Sequence, residues 1–502
     1  MTQGHYDLDF GVSIPINGIA LNANLLLPRA AEPSPALLTI TPYSCDFAYN
    51  RARVFAQAGF AVAIVEARGR GNSQGAFDLY NDGDDGAACV EWLAGQPFCN
   101  GAVALFGGSY AGLNQWQIAA RKPAGLKAIA PVCGPMPGFD ADGYGGLFPL
   151  YNVRWSTFVR GRTLHPAILA DDAYWTDLFA RHYEGQAGVA KTADLLGGAD
   201  AVVQRMLSDE AFDVPTLEAL SDLTIPALTI TGTVDNAQRG ALEFHRRYAR
   251  ARPDAPNWAV IGPWNHAGSR DPGGVDEGQA LETYETDLLV DFYKWALSGD
   301  HLPARLQSTA SIYVAGCEKW VESSSLDAPA VREVELIAHN DAATPICPSG
   351  ALIKPEVSLF DVLGGEASVN ALCEDAFETA AHWTIVTQDQ ARLIGQPIAE
   401  IDIVVEQSDA DVALVLVESR KDGTVIVLSS AQQRFAVGAH HAAQLDFRFA
   451  ARQLQSGSQL TLYALHVDDP DFQRPDPTMP SLVQLASPVG LRLFLPITEN
   501  AS

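Results

Sequence analysis

The sequence predicts an α/β protein with a mostly parallel sheet, a helical insertion within it and a C-terminal all-β region. Three observations predict this. Short apolar strands alternate with helix-forming segments over residues 1–139 and again over 225–304, and buried strands separated by helices imply a parallel sheet covered on both faces. Residues 140–224 carry helix-like apolar spacing and no convincing strand, so they read as a helical cap over the sheet's C-terminal edge. From 305 to 502, short strands and turn signals recur without helices, the pattern of a β-sandwich.

The elements follow in order. Residues 12–16 and 19–27 flank Asn17-Gly18, a pair that tolerates the positive φ values of a tight hairpin turn. Apolar strands are predicted at 37–41, 60–66, 103–106, 126–131, 227–231 and 258–261, with helices at 50–58, 84–95 and 110–121 between them. In the insertion, 171–179 and 195–207 have helical spacing. Residues 282–297 read as the last helix of the α/β unit, with Leu288, Leu289, Phe292 and Trp295 on one face and Gly299 as a stop. Strands are then expected at 311–314, 334–337, 401–405, 412–417, 424–428, 445–449 and 460–467, with turns at Lys421-Asp422-Gly423 and after Gln455.

Composition narrows the function. A chain of 502 residues exceeds one ordinary core, so two or three folding units are expected. Its net charge of −27 disfavours nucleic acid, whose phosphates need clustered Lys and Arg, and anionic membrane surfaces. No apolar run reaches the ~18 residues that span a bilayer. The N-terminus has neither a basic nor an apolar leader region, which makes a cytoplasmic location the default expectation. The seven cysteines are irregularly spaced, with no zinc-like cluster, so buried thiols and no metal are expected. Cys45 reads as a packing residue.

The strongest signal is Gly107-Gly108-Ser109-Tyr110-Ala111-Gly112. An apolar strand runs into it and a helical segment follows, which is the setting of a nucleophile elbow and of an α/β-hydrolase fold. The turn would present Ser109 Oγ at a helix N-terminus, where N–H groups favour negative charge. The usual glycine two places after the serine is here Ala111, with Gly112 next. A serine hydroxyl needs a base to remove its proton and a carboxylate to orient that base. His266, just past the last apolar strand, stands where this fold puts the base; His245 reads as an exposed helix residue. Asp235 ends the preceding strand and is the candidate acid, whereas Asp222 precedes that strand on the wrong side of the sheet. The oxyanion of acyl transfer needs donors. The Tyr110 N–H is one. The Tyr43 hydroxyl is a candidate for the second, with a merely packed aromatic as the equal alternative.

Together Thr41-Pro42-Tyr43, Glu66-Ala67-Arg68-Gly69-Arg70-Gly71-Asn72-Ser73-Gln74-Gly75, the stretch 91–101, Gly107–Gly112 and Gly262-Pro263-Trp264-Asn265-His266 resemble the cocaine esterase and X-prolyl dipeptidyl-peptidase family of serine hydrolases. The resemblance implies Ser109, Asp235 and His266 as a triad, with Tyr43 and the Tyr110 N–H as the oxyanion donors. It also implies a helical cap, a C-terminal jelly roll with a signature beginning at Ser408, and Trp155 as a cap aromatic in the acyl pocket. Thr233-Val234-Asp235 departs from the family's Trp-Tyr-Asp, Glu66 replaces an aspartate, and residues 340–380 lack the usual linking pattern.

The expected activity is hydrolysis of an ester or amide of a small acyl compound, without cofactor. The alternative is an X-prolyl dipeptidyl aminopeptidase or α-amino-acid ester hydrolase, which needs a carboxylate for the α-ammonium; Asp46, Asp140 and Asp142 are candidates. A non-catalytic binding protein is the third reading. The expected partner is a small molecule, with homo-oligomerisation left open. The β region is expected to wall the cleft.

Overall fold

The hairpin at the N-terminus starts the main sheet. In a computed structural model, which describes residues 6–16, 18–140, 151–181, 201–206, 208, 211–266, 268, 281–326, 332–335, 381–386, 391–407, 409–438, 440–466, 482–485 and 491–499, β1 (Tyr6–Ile16) and β2 (Ile19–Pro28) pair antiparallel with Ile16 opposite Ile19. Gly18 takes the positive φ of this turn. Asn17, Asp142, residues 195–200, 340–380 and Ser408 lie outside the described residues.

Eight further strands complete a ten-stranded sheet: β3 (Ser34–Thr41), β4 (Ala61–Glu66), β5 (Cys99–Gly108), β6 (Leu126–Val132), β7 (Ala227–Gly232), β8 (Asn257–Gly262), β9 (Ala310–Val314) and β10 (Lys319–Ser323). Their order is β1-β2-β4-β3-β5-β6-β7-β8-β9-β10, parallel from β4 to β9. Alternate side chains enter two cores. Leu38, Ile40 and Leu105 point to one, and Leu37, Ala104 and Phe106 to the other, as a strand with two covered faces requires.

Helices cover both faces: α1 (Cys45–Gln57), α2 (Gly83–Ala94) and α3 (Tyr110–Ala120) between strands. Between β6 and β7 the described elements are all helical: α4 (Tyr151–Phe158), α5 (Pro166–Leu169), α6 (Asp172–Arg181), α7 (Ala201–Met206) and α8 (Leu217–Ser221). Then come α9 (Gln238–Ala251) and α10 (Leu281–Ser298). Leu289, Phe292 and Tyr293 of α10 are fully buried. No described helix is long and apolar enough to cross a membrane.

The strand predicted at 311–314 is β9, and it does not open the C-terminal region at residue 305. It pairs in parallel with β8, and α10 is the crossover between them. No helix among the described residues separates β9 from the strands that follow, so its sequence reads as the start of the all-β stretch. His245 also departs from expectation. It is buried, because α9 carries a broad buried face including Ala241, Leu242, Phe244 and Tyr248, and burial pushes its pKa down to about 4.

The remaining strands are antiparallel. One sheet contains β11 (Arg332–Glu335), β14 (Ile398–Glu406), β17 (His440–Asp446), β20 (Leu482–Leu485) and β21 (Leu491–Leu495). A second contains β12 (Ala381–Val386), β15 (Ala410–Ser419), β16 (Val425–Phe435) and β19 (Gln459–His466), and a third β13 (Ala391–Gly395), β18 (Ala450–Leu454) and β22 (Ile497–Glu499). Ile401, Ile403, Leu414, Leu416, Leu462 and Leu493 share their core. The segment 445–449 is not one strand: β17 ends at Asp446 and β18 begins at Ala450, with Phe447 and Phe449 buried between them.

Between β5 and α3 the backbone turns sharply, and Ser109 takes φ 58° and ψ −122°, a strained conformation for a residue with a Cβ. Space is short on both sides of it. A Cβ on Gly107, at φ +143°, would lie 2.6 Å from Ala111 Cβ and 2.9 Å from Thr39 Oγ1. A Cβ on Gly112 would lie 2.6 Å from the Val132 carbonyl oxygen. Ala111 can therefore stand where this turn usually has glycine only because Gly107 carries no side chain. Gly107→Ala is expected to destabilise the protein by about 2–3 kcal/mol through overpacking and unfavourable φ. The readout is a lower urea midpoint at unchanged m-value.

Candidate active site

The C-terminal ends of β5, β7 and β8 bring three side chains together. Ser109 follows β5, Asp235 lies in the turn after β7, and His266 follows β8. Parallel neighbours deliver their ends to the same edge of the sheet. His266 Nε2 lies 2.9 Å from Ser109 Oγ, and His266 Nδ1 lies 2.8 Å from Asp235 Oδ1. The turns that carry acid and imidazole are tied by backbone bonds, Thr233 N–H to Gly262 O at 2.8 Å and Val234 N–H to Trp264 O at 3.3 Å.

Asp235 is fully buried. Thr231 Oγ1 donates to its Oδ2 at 2.7 Å, and the Ala237 N–H to its Oδ1 at 3.0 Å. The Cys133 thiol also hydrogen-bonds this carboxylate. Burial acts to raise the Asp235 pKa, but the His266 charge and these hydrogen bonds outweigh it and hold it below the usual value. Burial acts to lower the His266 pKa; the Asp235 charge and hydrogen bond, helped by Asp140, carry it above the usual value. Thr231 and Cys133 were not singled out from sequence. The available signal was position: Cys133 follows β6 and Thr231 ends β7, and these strands are neighbours.

Tyr43 follows β3, and its N–H donates to Thr41 Oγ1 at 3.1 Å. Its ring packs against Phe47 and Phe158, with centroids 5.0 and 5.8 Å away. The Trp155 Nε1–H donates to the Tyr43 hydroxyl at 3.2 Å, and that hydroxyl also hydrogen-bonds Ser109. Burial, opposed by these two hydrogen bonds, pushes the Tyr43 pKa up. Tyr110 is the first residue of α3, so its N–H is among those with no intrahelical acceptor. Its ring stacks on Trp155 at 17°. Its hydroxyl accepts the Tyr80 N–H at 3.0 Å and hydrogen-bonds the buried Asp82 carboxyl, which burial pushes up to about 7.

These groups surround a cavity of about 550 Å³ lined by Tyr43, Phe47, Tyr80, Trp155, Phe158 and His266 among others. Ser109, His266, Tyr43, Tyr110 and Trp155 all line it, and Asp235 lies behind His266. All its described lining residues fall between 39 and 268. The C-terminal β region, expected as a wall of the cleft, supplies none of these described residues; Phe449 and Ala451 pack instead with Leu242, Ile261 and Ile312.

Of the candidate ammonium ligands, Asp46 does not line the cavity, whereas Asp140 does. Asp140 Oδ1 already accepts the Met136 N–H at 2.7 Å and its Oδ2 the Gly240 N–H at 2.6 Å, and burial pushes its pKa up to about 7. Cys45 is a packed thiol whose pKa burial raises and which donates to Ile64 O at 3.4 Å. Among the described residues, Cys133, Asp235 and His266 are the one group with metal-ligating atoms close together, within 4.8 Å. Those atoms are engaged with one another: Nδ1 and the thiol both bond the carboxylate.

A hydroxyl, an imidazole and a buried carboxylate in line can pass a proton from oxygen to nitrogen beside an apolar cavity. The comparisons with known proteins agree with hydrolase chemistry. The profile of the X-Pro dipeptidyl-peptidase (S15) family matches residues 17–268. Cocaine esterase of Rhodococcus sp. (strain MB1 Bresler) is 25 % identical over 480 residues, covering 85 % of this chain and 83 % of that protein. An aminopeptidase from a marine sediment archaeon, Thaumarchaeota archaeon, has the same fold at TM-score 0.79 and 18 % identity, covering 99 % of this chain and 97 % of that one. An α-amino acid ester hydrolase does so at TM-score 0.79 and 17 % identity, with the same coverage. The family profile spans half of the sequence, and on that match the chain belongs to the X-Pro dipeptidyl-peptidase (S15) family and is a serine hydrolase.

Proposed function

We propose that the chain cleaves an ester, or amide, of a small acyl compound through an acyl-enzyme on Ser109, with His266 as base and Asp235 as acid. One observation carries this reading: the His266 imidazole is hydrogen-bonded to Ser109 Oγ on one side and Asp235 Oδ1 on the other, at 2.9 and 2.8 Å. His266 Nε2 takes the Ser109 proton as Oγ attacks the carbonyl carbon, then returns it to the leaving group. Water reverses the sequence and frees the acid. Asp235 fixes the Nδ1–H tautomer and stabilises the imidazolium. No step needs a metal or organic cofactor, and the protein is read as a cytoplasmic enzyme without nucleic-acid or membrane partners.

Tyr43 and the Tyr110 N–H are the proposed oxyanion donors. The direction of the Tyr43 proton follows from Trp155. An indole N–H can only donate, so the Tyr43 oxygen accepts from Trp155, and its own proton is left for Ser109 or the oxyanion that forms there. Trp155 thus both walls the proposed acyl pocket and orients a donor.

An acyl group without a free amine is favoured over the aminopeptidase reading, because the Asp140 oxygens already accept backbone N–H groups. In domain terms, the hydrolase domain is taken to include β9 and β10, with 140–224 as its cap and the C-terminal unit, proposed as a jelly roll, beginning after Ser323.

An organophosphorus probe is expected to label Ser109 in the native chain and not in Ser109→Ala, which should have only background turnover; near-normal rates from Ser109→Ala would refute the assignment. Tyr43→Phe should lower kcat by about 10²–10³, and Trp155→Phe by about tenfold, the worth of one orienting hydrogen bond. Steady-state rates on a neutral ester and its α-amino analogue measure both these losses and the substrate preference, which should go to the neutral ester.

The pH profile has a fixed sign. The base works only when neutral, so kcat/KM rises as pH rises through the His266 pKa. That pKa is raised, so the acidic limb should lie above the ordinary histidine value. Asp235→Asn removes the charge that raises it, so the limb should move to lower pH while kcat falls by about 10⁴.

A further inference from the structure

We infer that Gln238 is a positioning residue through which the C-terminal β region fixes the turn carrying Asp235. The inference rests on the reading of Asp235 as the acid.

Gln238 opens α9 three residues after Asp235, and it is buried. Its Nε2 donates to Gly232 O and Thr233 O, both at 3.0 Å, and to Phe449 O at 2.9 Å. Its Oε1 accepts the Phe449 N–H at 2.7 Å. Two hydrogens serve three carbonyls, so one hydrogen bond is shared. On one side the carboxamide closes the turn after β7. On the other it pairs with the backbone of Phe449 at both N–H and C=O, as a neighbouring strand would.

Further bonds join the same two regions. Arg448 Nη1 donates to the Asp235 carbonyl oxygen at 3.3 Å. Arg239 Nη2 donates to Ser430 O at 3.1 Å. Ser430 O also receives the Arg448 N–H at 3.1 Å, and Ser429 Oγ donates to Arg448 O at 2.7 Å. Residues 429–430 of β16 and 448–449 between β17 and β18 therefore grip residues 235–239. Phe449 is anchored in turn, only 2 % exposed against Ile261 and Ile312 of the main sheet. The region supplies no described residue to the cavity wall, and the bonds above join it to the turn that carries the acid.

This division gives the clamp a signature. Loosening it lets Asp235 drift from His266, and of the described cavity lining only Asn236 and Ala237 lie in the clamped stretch. Catalysis is sensitive to such drift, a shift of about 1 Å costing about 10²-fold. Substrate binding, which draws on the rest of the lining, is less so. The carboxylates that act on His266 are Asp235, from the turn after β7, and Asp140, from the segment after β6. The clamp holds the first directly; the second meets the same helix through the Gly240 N–H and is also bonded to the Met136 N–H.

The test uses the full chain, with Gln238→Ala and Arg448→Ala made separately. kcat, KM and the pH profile of kcat/KM are measured on a neutral ester, folding is checked by urea denaturation, and Ser109 labelling of the unaltered chain is run alongside. The expected result for Gln238→Ala is a kcat lower by about 10–100-fold, KM within about twofold, and an acidic limb moved to lower pH. Arg448→Ala should act in the same direction and less strongly. A folded Gln238→Ala protein whose limb stays in place overturns the inference, whether its kcat is unchanged or merely reduced. If Gln238→Ala does not fold, Arg448→Ala decides by the same readouts. Absence of Ser109 labelling in the unaltered chain removes the proposed function itself, whereas labelling with an unmoved limb removes only the clamp.

Discussion

A charge with no access to water must be compensated by its neighbours, and the Asp235 carboxylate is that charge. Its partners come from four places in the chain: the Cys133 thiol after β6, the Thr231 hydroxyl in β7, the Ala237 N–H in the turn before α9, and the His266 ring after β8. One carboxylate therefore fixes the relative positions of three adjacent strand ends. The strand order β6-β7-β8 is what brings those donors within reach. Geometry of this kind suits the proposed chemistry, because the imidazole gains its proton in a site where the compensating dipoles are already aligned.

The opposite end of the site is held by a different set of contacts. The segment before Tyr43 is tied to the insertion by Arg70, which is 1 % exposed. Its guanidinium donates to Pro42 O at 2.7 Å and to the carbonyls of Val159 and Gly161. Tyr43 in turn meets Trp155 of α4. The proposed oxyanion donor is thus positioned by the helical insertion, and the proposed acid by the C-terminal region. Tyr110 joins the two halves: its backbone begins the helix behind Ser109, and its ring stacks on Trp155 and reaches Asp82.

How much of this could be read from the sequence depended on how local the cause was. The elbow was legible because its constraints act within six residues, with Gly107 leaving room for Ala111. His266 and Asp235 were legible because chain order and strand ends determine them. The resemblance supplied the proposed roles of Tyr43 and Trp155, since nothing about a Pro-Tyr pair or a lone tryptophan reveals that they meet across 112 residues. His245 was misread because a helix covered on a broad face shows the same polar spacing as one lying at the surface. β9 was misassigned because sequence texture follows what comes next in the chain, whereas sheet membership follows the crossover helix before it. Cys133, Thr231 and Gln238 went unnoticed for a shared reason: each acts through a partner distant in sequence, and a buried Gln or Cys has no local pattern.

The two supports also separate two properties of the enzyme. The described walls of the cavity come from strand ends, α1, the start of α3, the segments after β4 and β6, the insertion and, at Asn236 and Ala237, the acid turn, so the shape offered to an acyl group is set there. Among the described residues, the C-terminal region meets the acid turn and the start of α9: Arg448 donates to the Asp235 carbonyl oxygen, and the carbonyls of Phe449 and Ser430 accept from the Gln238 and Arg239 side chains. A change in the insertion alters which molecule fits, and through Trp155 and Arg70 it also disturbs Tyr43. A change at the C-terminal contact bears on the turn that carries Asp235, whose share of the described walls is Asn236 and Ala237. On the proposed mechanism, substrate choice and oxyanion binding are therefore coupled, whereas the inferred clamp would tune the basicity of His266 from a region that supplies no described residue to the cavity wall.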